Sequence, residues 1–214
     1  MPTLLLTYFG PFQGVPVNPT RALAQQTAQA LAESAPQLEV ETRELPVEYA
    51  GSSRELARLI QDIKPDCAIS LGVAAGRDKV SLERVAINLD SASIADNAGD
   101  LAQDRPISVQ GPAAYFSALP TRTIYQKLTA QGLPVELSYT AGSYVCNHVF
   151  YELMRLTCSR IPAGFIHVPL TQEATRADVQ ARADTGGVEG DGLPALPQEL
   201  VVKTLEEAIL LIVR

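Results

Sequence analysis

Cys146 is the side chain of this chain best placed to act as a nucleophile. It follows Tyr139-Thr140-Ala141-Gly142-Ser143-Tyr144-Val145, where a strand-like run gives way to small residues, and a helical pattern begins at or near it. A thiol at a helix start faces unpaired N–H groups and the positive end of the helix dipole, both of which favour a thiolate. A buried packing role is the commoner fate of a lone cysteine, so a base has to be found. The chain has two histidines, His148 and His167. His167 comes 21 positions after Cys146, in the apolar run Gly164-Phe165-Ile166-His167-Val168. The order strand, Cys146, helix, strand, His167 reads as a βαβ crossover. Such a crossover predicts both strands' carboxyl ends at one sheet edge, where open α/β sheets bind ligands. A Cys and a His brought together there make a base-activated thiol. His148, two residues after Cys146, points about 200° away on a helix, which predicts a structural role.

A third group is needed to orient the imidazole. Glu83, Asp90, Asp96 and Asp100 are candidates. Glu83 sits among Leu82, Val85, Ala86 and Ile87, and a carboxylate in apolar surroundings needs a partner. A histidine N–H would serve, and so would Arg77 or Arg84; spacing does not choose. Phe9 and Phe12 flank Gly10-Pro11 after the first apolar run. If that run is a parallel strand they fall on its carboxyl edge, either stapling the turn to the core or facing a ligand. Cys67 and Cys158 read as packing residues.

Much other chemistry is excluded. There is no HExxH, CxxC or Cys/His cluster, so a zinc site is not expected. GxxxxGK[ST], GxGxxG and GxSxG motifs are missing as well. Seventeen Lys and Arg stand against 24 Asp and Glu, a net charge of −7. That balance argues against nucleic acid and against anionic lipid as partners, and no run of 18 apolar residues predicts a membrane span. The opening Met1-Pro2-Thr3-Leu4-Leu5-Leu6 lacks the features of a signal peptide. Three scattered cysteines predict no disulfide framework, and the expected compartment is the reducing cytosol.

The elements that must position these residues follow from the periodicity. Thr3–Tyr8 is a buried strand. Asn18-Pro19-Thr20 opens a helix with Asn18 as cap. Leu38–Leu45 alternates as a half-exposed strand. A second helix runs from Gly51-Ser52-Ser53 to about Lys64, and Cys67–Leu71 is a strand. Val80–Leu89 is extended, Asp90–Pro112 is a long loop, and Tyr115–Leu119 is a short run ending at Pro120. A helix over Arg122–Gln131, a strand over Val135–Thr140, a helix over Cys146–Ser159 and a strand over Ala163–Val168 follow. Asp184–Pro197 is a glycine-rich flexible stretch, and Glu199–Arg214 is the last helix. Alternating strands and helices predict one α/β domain over residues 1–214 with a largely parallel sheet.

Taken together, these blocks resemble the type I pyroglutamyl peptidases (pyrrolidone-carboxylate peptidases), cysteine peptidases that remove an N-terminal 5-oxoproline. Phe9-Gly10-Pro11-Phe12-Gln13-Gly14 with Asn18-Pro19-Thr20 is similar to the family's opening motif. Gly76-Arg77, Leu82 to Asn88 and Asp96-Asn97 resemble its acidic block, and Gln110 to Tyr115 with Leu119-Pro120 its middle block. Ser138 to Asn147 resembles the nucleophile block, and Gly164 to Pro169 the histidine block. Tyr8, Val73 and Ser93 stand where the family commonly has Gly, Gln and Arg. The resemblance implies Cys146 as nucleophile, His167 as general base and acid, and Glu83 as orienting carboxylate. It implies that Phe9 and Phe12 hold the oxoproline ring, with Asn18 nearby. It further implies a three-layer α/β/α sandwich around a largely parallel, mixed sheet, no cofactor, peptides with N-terminal pyroglutamate as substrates, and a cytosolic homotetramer. The alternative from another class is a non-catalytic lactam- or peptide-binding module on the same fold.

Overall fold

The side chains of the first strand, β1 (Thr3–Phe9), divide between two apolar cores by the two-residue period of an extended chain. Leu4 and Leu6 enter one core, and Leu5 and Phe9 enter the other. The computed structural model describes residues 1–12, 15, 17–176 and 192–213. After β1 come α1 (Thr20–Ser34), β2 (Glu39–Leu45), α2 (Tyr49–Ile63), β3 (Cys67–Val73), β4 (Val80–Glu83), β5 (Val85–Ile87) and β6 (Ala114–Phe116). Then come α3 (Thr121–Ala130), β7 (Val135–Ser138), α4 (Val145–Thr157), β8 (Ala163–Val168), β9 (Leu170–Thr171), β10 (Ala195–Leu196) and a final helix, α5 (Gln198–Val213).

Six strands form the central sheet in the order β2-β1-β3-β8-β4-β7. β1, β3 and β8 run in parallel at its centre and are almost wholly buried, as expected for strands covered on both faces. β2 lies at one edge, half exposed. Helices α1, α3 and α5 cover one face through Leu23, Leu31, Ile124, Leu205 and Ile209. Helices α2 and α4 cover the other through Leu56, Leu59, Val149, Phe150 and Leu153. The result is an α/β/α sandwich on a mixed, mostly parallel sheet. Among the described residues no helix is long and apolar enough to cross a membrane.

Three details correct or extend these expectations. First, β7, α4 and β8 are not a parallel crossover. β7 pairs in parallel with β4, and β4 pairs antiparallel with β8, so β7 and β8 point in opposite directions. Second, the extended segment after Val80 does not stay in one sheet. It turns at Arg84, and β5 leaves to form a hairpin-like pair with β6. Third, α1 starts at Thr20 with Pro19 at the cap position. Asn18 works one residue earlier: its Oδ1 accepts from the Thr20 amide at 3.1 Å, and its Nδ2 donates to the Gly10 carbonyl at 2.9 Å. Of the glycine-rich stretch, residues 184–191 lie outside the described residues.

Candidate active site

The antiparallel step between β4 and β8 builds the first half of the site. Ser81 stands opposite His167 in the register. Glu83, two residues on, therefore shares a face with His167 and lies diagonally across from it. That face is the one covered by α2 and α4. His167 Nδ1 is 2.8 Å from Glu83 Oε1. Arg77, in the turn between β3 and β4, donates Nη1 to the same oxygen at 2.8 Å. The second oxygen, Oε2, is buried without a partner among the described residues. Burial pushes the Glu83 carboxyl up, but hydrogen bonding and charge from His167, with hydrogen bonding from Arg77, outweigh it and hold the group below its ordinary range. An ionised carboxylate only accepts, so Nδ1 carries the imidazole proton and Nε2 presents a lone pair. His167 Nε2 has no hydrogen-bond partner among the described residues.

The second half is the start of α4. The chain leaves β7 and turns through Gly142, whose φ of 78° is left-handed and suits glycine. Tyr144 caps the helix in an extended conformation, and Cys146 occupies the first turn. The turn is clamped from outside: Ser143 Oγ donates to the Ser91 carbonyl at 2.5 Å, and the Tyr144 hydroxyl to the Ala95 carbonyl at 3.1 Å. Cys146 Sγ lies over Gly72; a Cβ built on that glycine would stand 2.9 Å from the sulfur. Gly72 is the register partner of His167, and neighbouring strands are about 4.8 Å apart. The thiol and the imidazole thus share one corner of the sheet face. Burial pushes the Cys146 thiol up to about 12; Glu83 adds to this and Arg77 opposes it. Desolvation thus opposes the lowering expected from the helix start.

A small pocket opens beside the sulfur. Phe9, Phe12, Val47, Val73 and Tyr144 wall it, and Asn18 and Cys146 contribute its polar edge. Phe9 is buried at the carboxyl end of β1 and packs on Phe165, while Phe12 packs near Tyr144. The two phenylalanines therefore both staple the turn and face the pocket. The Asn18 amide is spent on Gly10 and Thr20, so it shapes the wall.

The competing candidates are engaged elsewhere. His148 is buried with Nδ1 at 2.9 Å from Asp90 and Nε2 at 2.6 Å from Ser53. Asp96 accepts from the backbone amides of Tyr49, Ala98 and Asp100, and Asp100 pairs with Arg105. Cys67 is buried, and Cys158 is exposed at the end of α4. Ser93 is exposed in the loop after β5. Sequence reasoning did not find Val47, Val73 and Tyr144 as pocket walls. Tyr144 carried a signal, its place two residues before Cys146. It also offered Arg77 and His167 as alternative partners for Glu83, whereas both bind it at once.

Comparison with known proteins gives the family. The family model described as pyroglutamyl peptidase matches residues 2–214. The chain is 46% identical over 173 residues to pyrrolidone-carboxylate peptidase 1 of Ralstonia nicotianae, covering 79% of each chain. It is 39% identical over 215 residues to the pyrrolidone-carboxylate peptidase of Cupriavidus taiwanensis, covering 98% of this chain and 92% of that one. The crystal structure of Bacillus amyloliquefaciens pyroglutamyl peptidase I superposes with a TM-score of 0.82 at 34% identity, over 97% of this chain and 95% of that one. A mutant pyrrolidone carboxyl peptidase from Pyrococcus furiosus superposes with a TM-score of 0.86 at 33% identity, over 99% and 98% of the two chains. The chain belongs to the pyroglutamyl peptidase family of cysteine peptidases.

Proposed function

We propose that residues 1–214 form one catalytic domain that cleaves the amide after an N-terminal pyroglutamyl residue, with Cys146 as nucleophile, His167 as base and acid, and Glu83 as the orienting carboxylate. The observation that carries the assignment is the Glu83–His167 hydrogen bond at 2.8 Å, on the sheet face where Cys146 Sγ is seated.

The resting thiol needs its proton removed as it attacks. His167 Nε2 takes it, the Cys146 sulfur bonds to the pyroglutamyl carbonyl carbon, and Glu83 stabilises the imidazolium that forms. Negative charge gathers on the carbonyl oxygen. The first amides of α4, including that of Cys146, lie before the helix's own hydrogen-bond ladder and would hold it. The tetrahedral adduct collapses, the C–N bond breaks, and His167 returns its proton to the departing amine. A water then loses a proton to His167 and attacks the thioester. Release of the thiolate, reprotonated by the imidazolium, frees pyroglutamate and restores the enzyme. Phe9 and Phe12 present apolar faces to a flat, neutral ring. The family resemblance further supports a homotetramer working in the cytosol.

Hydrolysis of an oxoprolyl aminocoumarin amide tests the reading. Turnover by the wild-type chain, abolished in Cys146→Ala and in His167→Ala with the fold intact by circular dichroism, is the expected result. Turnover that survives Cys146→Ala would overturn it.

A further inference from the structure

We infer that Arg77 is a positioning residue of this site: it holds one oxygen of Glu83 jointly with His167 and, through the other arm of its guanidinium, ties that carboxylate to the turn that delivers Cys146. The inference rests on the catalytic reading above and deepens it.

Arg77 lies outside the strands and helices, in the connection from β3 to β4. Gly76 precedes it with a left-handed φ of 93°, and the Arg77 amide closes the turn onto the Ala74 carbonyl at 3.2 Å. Its side chain is about one-quarter exposed while Glu83 is fully hidden, so its charge reaches inward from the rim. Nη1 donates to Glu83 Oε1 at 2.8 Å and Nη2 to the Thr140 carbonyl at 3.2 Å. Thr140 stands six residues before Cys146, at the start of the nucleophile turn. One rigid, planar group therefore spans the end of β4 and the entry to α4. A lysine, a point charge on a flexible stem, cannot bridge both acceptors in the same way.

The shared oxygen decides the orientation. Oε1 receives both donors and Oε2 receives none among the described residues. Rotating the carboxylate to bring Oε2 toward His167 would break two charge-assisted bonds. The plane of Glu83, and with it the ring of His167, is thereby fixed. The electrostatics point the same way. With His167 neutral, Glu83 would be a buried lone anion, which is costly; Arg77 supplies a countercharge that does not come and go with the imidazole proton. It also limits how tightly Glu83 holds the imidazolium. That matters because His167 must give its proton to the leaving amine. The charged and titratable groups facing His167 are Glu83 from β4, Cys146 from α4 and, through Glu83, Arg77 from the β3–β4 turn. Removing Arg77 leaves Glu83 unopposed, so both the imidazolium and the neutral thiol become harder to deprotonate.

The experiment is steady-state hydrolysis of an oxoprolyl aminocoumarin amide across pH by the full chain, as wild type, Arg77→Gln and Arg77→Lys. Arg77→Gln is expected to lower kcat by about 10–100-fold, by analogy with the loss of a partner that orients a metal-bound histidine or carboxylate, with KM nearly unchanged. The acid limb of kcat/KM should move up by about one pH unit, the size expected when a charge at this range is removed. Arg77→Lys should return the limb to its wild-type position but recover kcat only in part. A wild-type kcat with unmoved limbs in Arg77→Gln would overturn the inference, as would a change in thermal stability alone. Should Arg77→Gln not fold, a wild-type kcat in Arg77→Lys would overturn it equally. Failure of the underlying catalytic reading shows on a different readout, turnover surviving Cys146→Ala with Arg77 intact.

Discussion

The sulfur of Cys146 occupies the space that a side chain at position 72 would need. A Cβ on Gly72 would stand 2.9 Å from Sγ and 2.7 Å from the ring of Phe165. The Phe165 ring has no room to withdraw, because it is packed against Phe9, Phe150 and His167, so the sulfur, with the pocket beside it, is the neighbour that gives way. Gly72→Ala is therefore expected to displace the thiol from the imidazole. Overpacking of this kind costs about 1–3 kcal/mol, which leaves a folded chain. Activity should fall far more than stability, measured as kcat/KM beside a urea unfolding curve. Wild-type turnover in Gly72→Ala would show that Cys146 does not use this seat.

The state of the thiol sets the pH dependence of its alkylation. Burial holds Cys146 protonated, up to about 12, so the thiolate fraction rises with pH throughout the working range. In a Cys158→Ser background, which removes the exposed thiol, iodoacetamide labelling should accelerate about tenfold per pH unit between pH 7 and 9, since one unit is a tenfold change in thiolate. Cys67, also pushed up to about 12 by burial and by Asp66, should stay unlabelled. A rate that is flat from pH 6 upward would reveal a preformed thiolate–imidazolium pair instead.

His148 tests the choice of base. Both ring nitrogens are committed, to Asp90 and to Ser53. Its replacement by Gln should cost stability, about 1–3 kcal/mol for a buried carboxylate left short of a partner. Most of the activity should remain once the folded fraction is accounted for. A loss as deep as that of His167→Ala would reassign the base.

Selectivity follows from the pocket walls. Phe9, Phe12, Val47 and Val73 offer an ammonium no countercharge, and burying an unpaired charge costs several kcal/mol. The Asn18 amide is already spent on Gly10 and Thr20. Oxoprolyl amides should be preferred over prolyl and glutaminyl amides, because both competitors carry an ammonium that this pocket would strip of water. Phe9→Ala and Phe12→Ala should weaken oxoprolyl hydrolysis more than thiol alkylation. Equal kcat/KM for prolyl and oxoprolyl amides would rule the pocket model out.

Local pattern was enough to place Cys146 at a helix start and His167 on a strand, because each depends on neighbours within one turn or one run of chain. The strand Ala163–Val168 was legible to the residue, since a short apolar run between Pro162 and Pro169 has little freedom in its ends. The motif blocks were equally local, and they carried the family likeness. Strand order was not legible. An apolar strand alternates its faces identically whether its neighbour runs with it or against it, so nothing in Val80–Glu83 announces that β4 inserts between β8 and β7, antiparallel to the first and parallel to the second. That insertion brings Glu83 diagonally to His167, and it replaces the parallel crossover read from the sequence. Arg77 is the plainest case: from the sequence it is one of several possible partners for Glu83, and only the folded sheet brings Glu83 and Thr140 together within reach of its two arms. Short stretches of chain specify which groups are present and what local structure each sits in. The tertiary structure decided which of them meet, because long-range pairing is chosen by packing two cores against one sheet, a sum over many contacts that no single segment encodes.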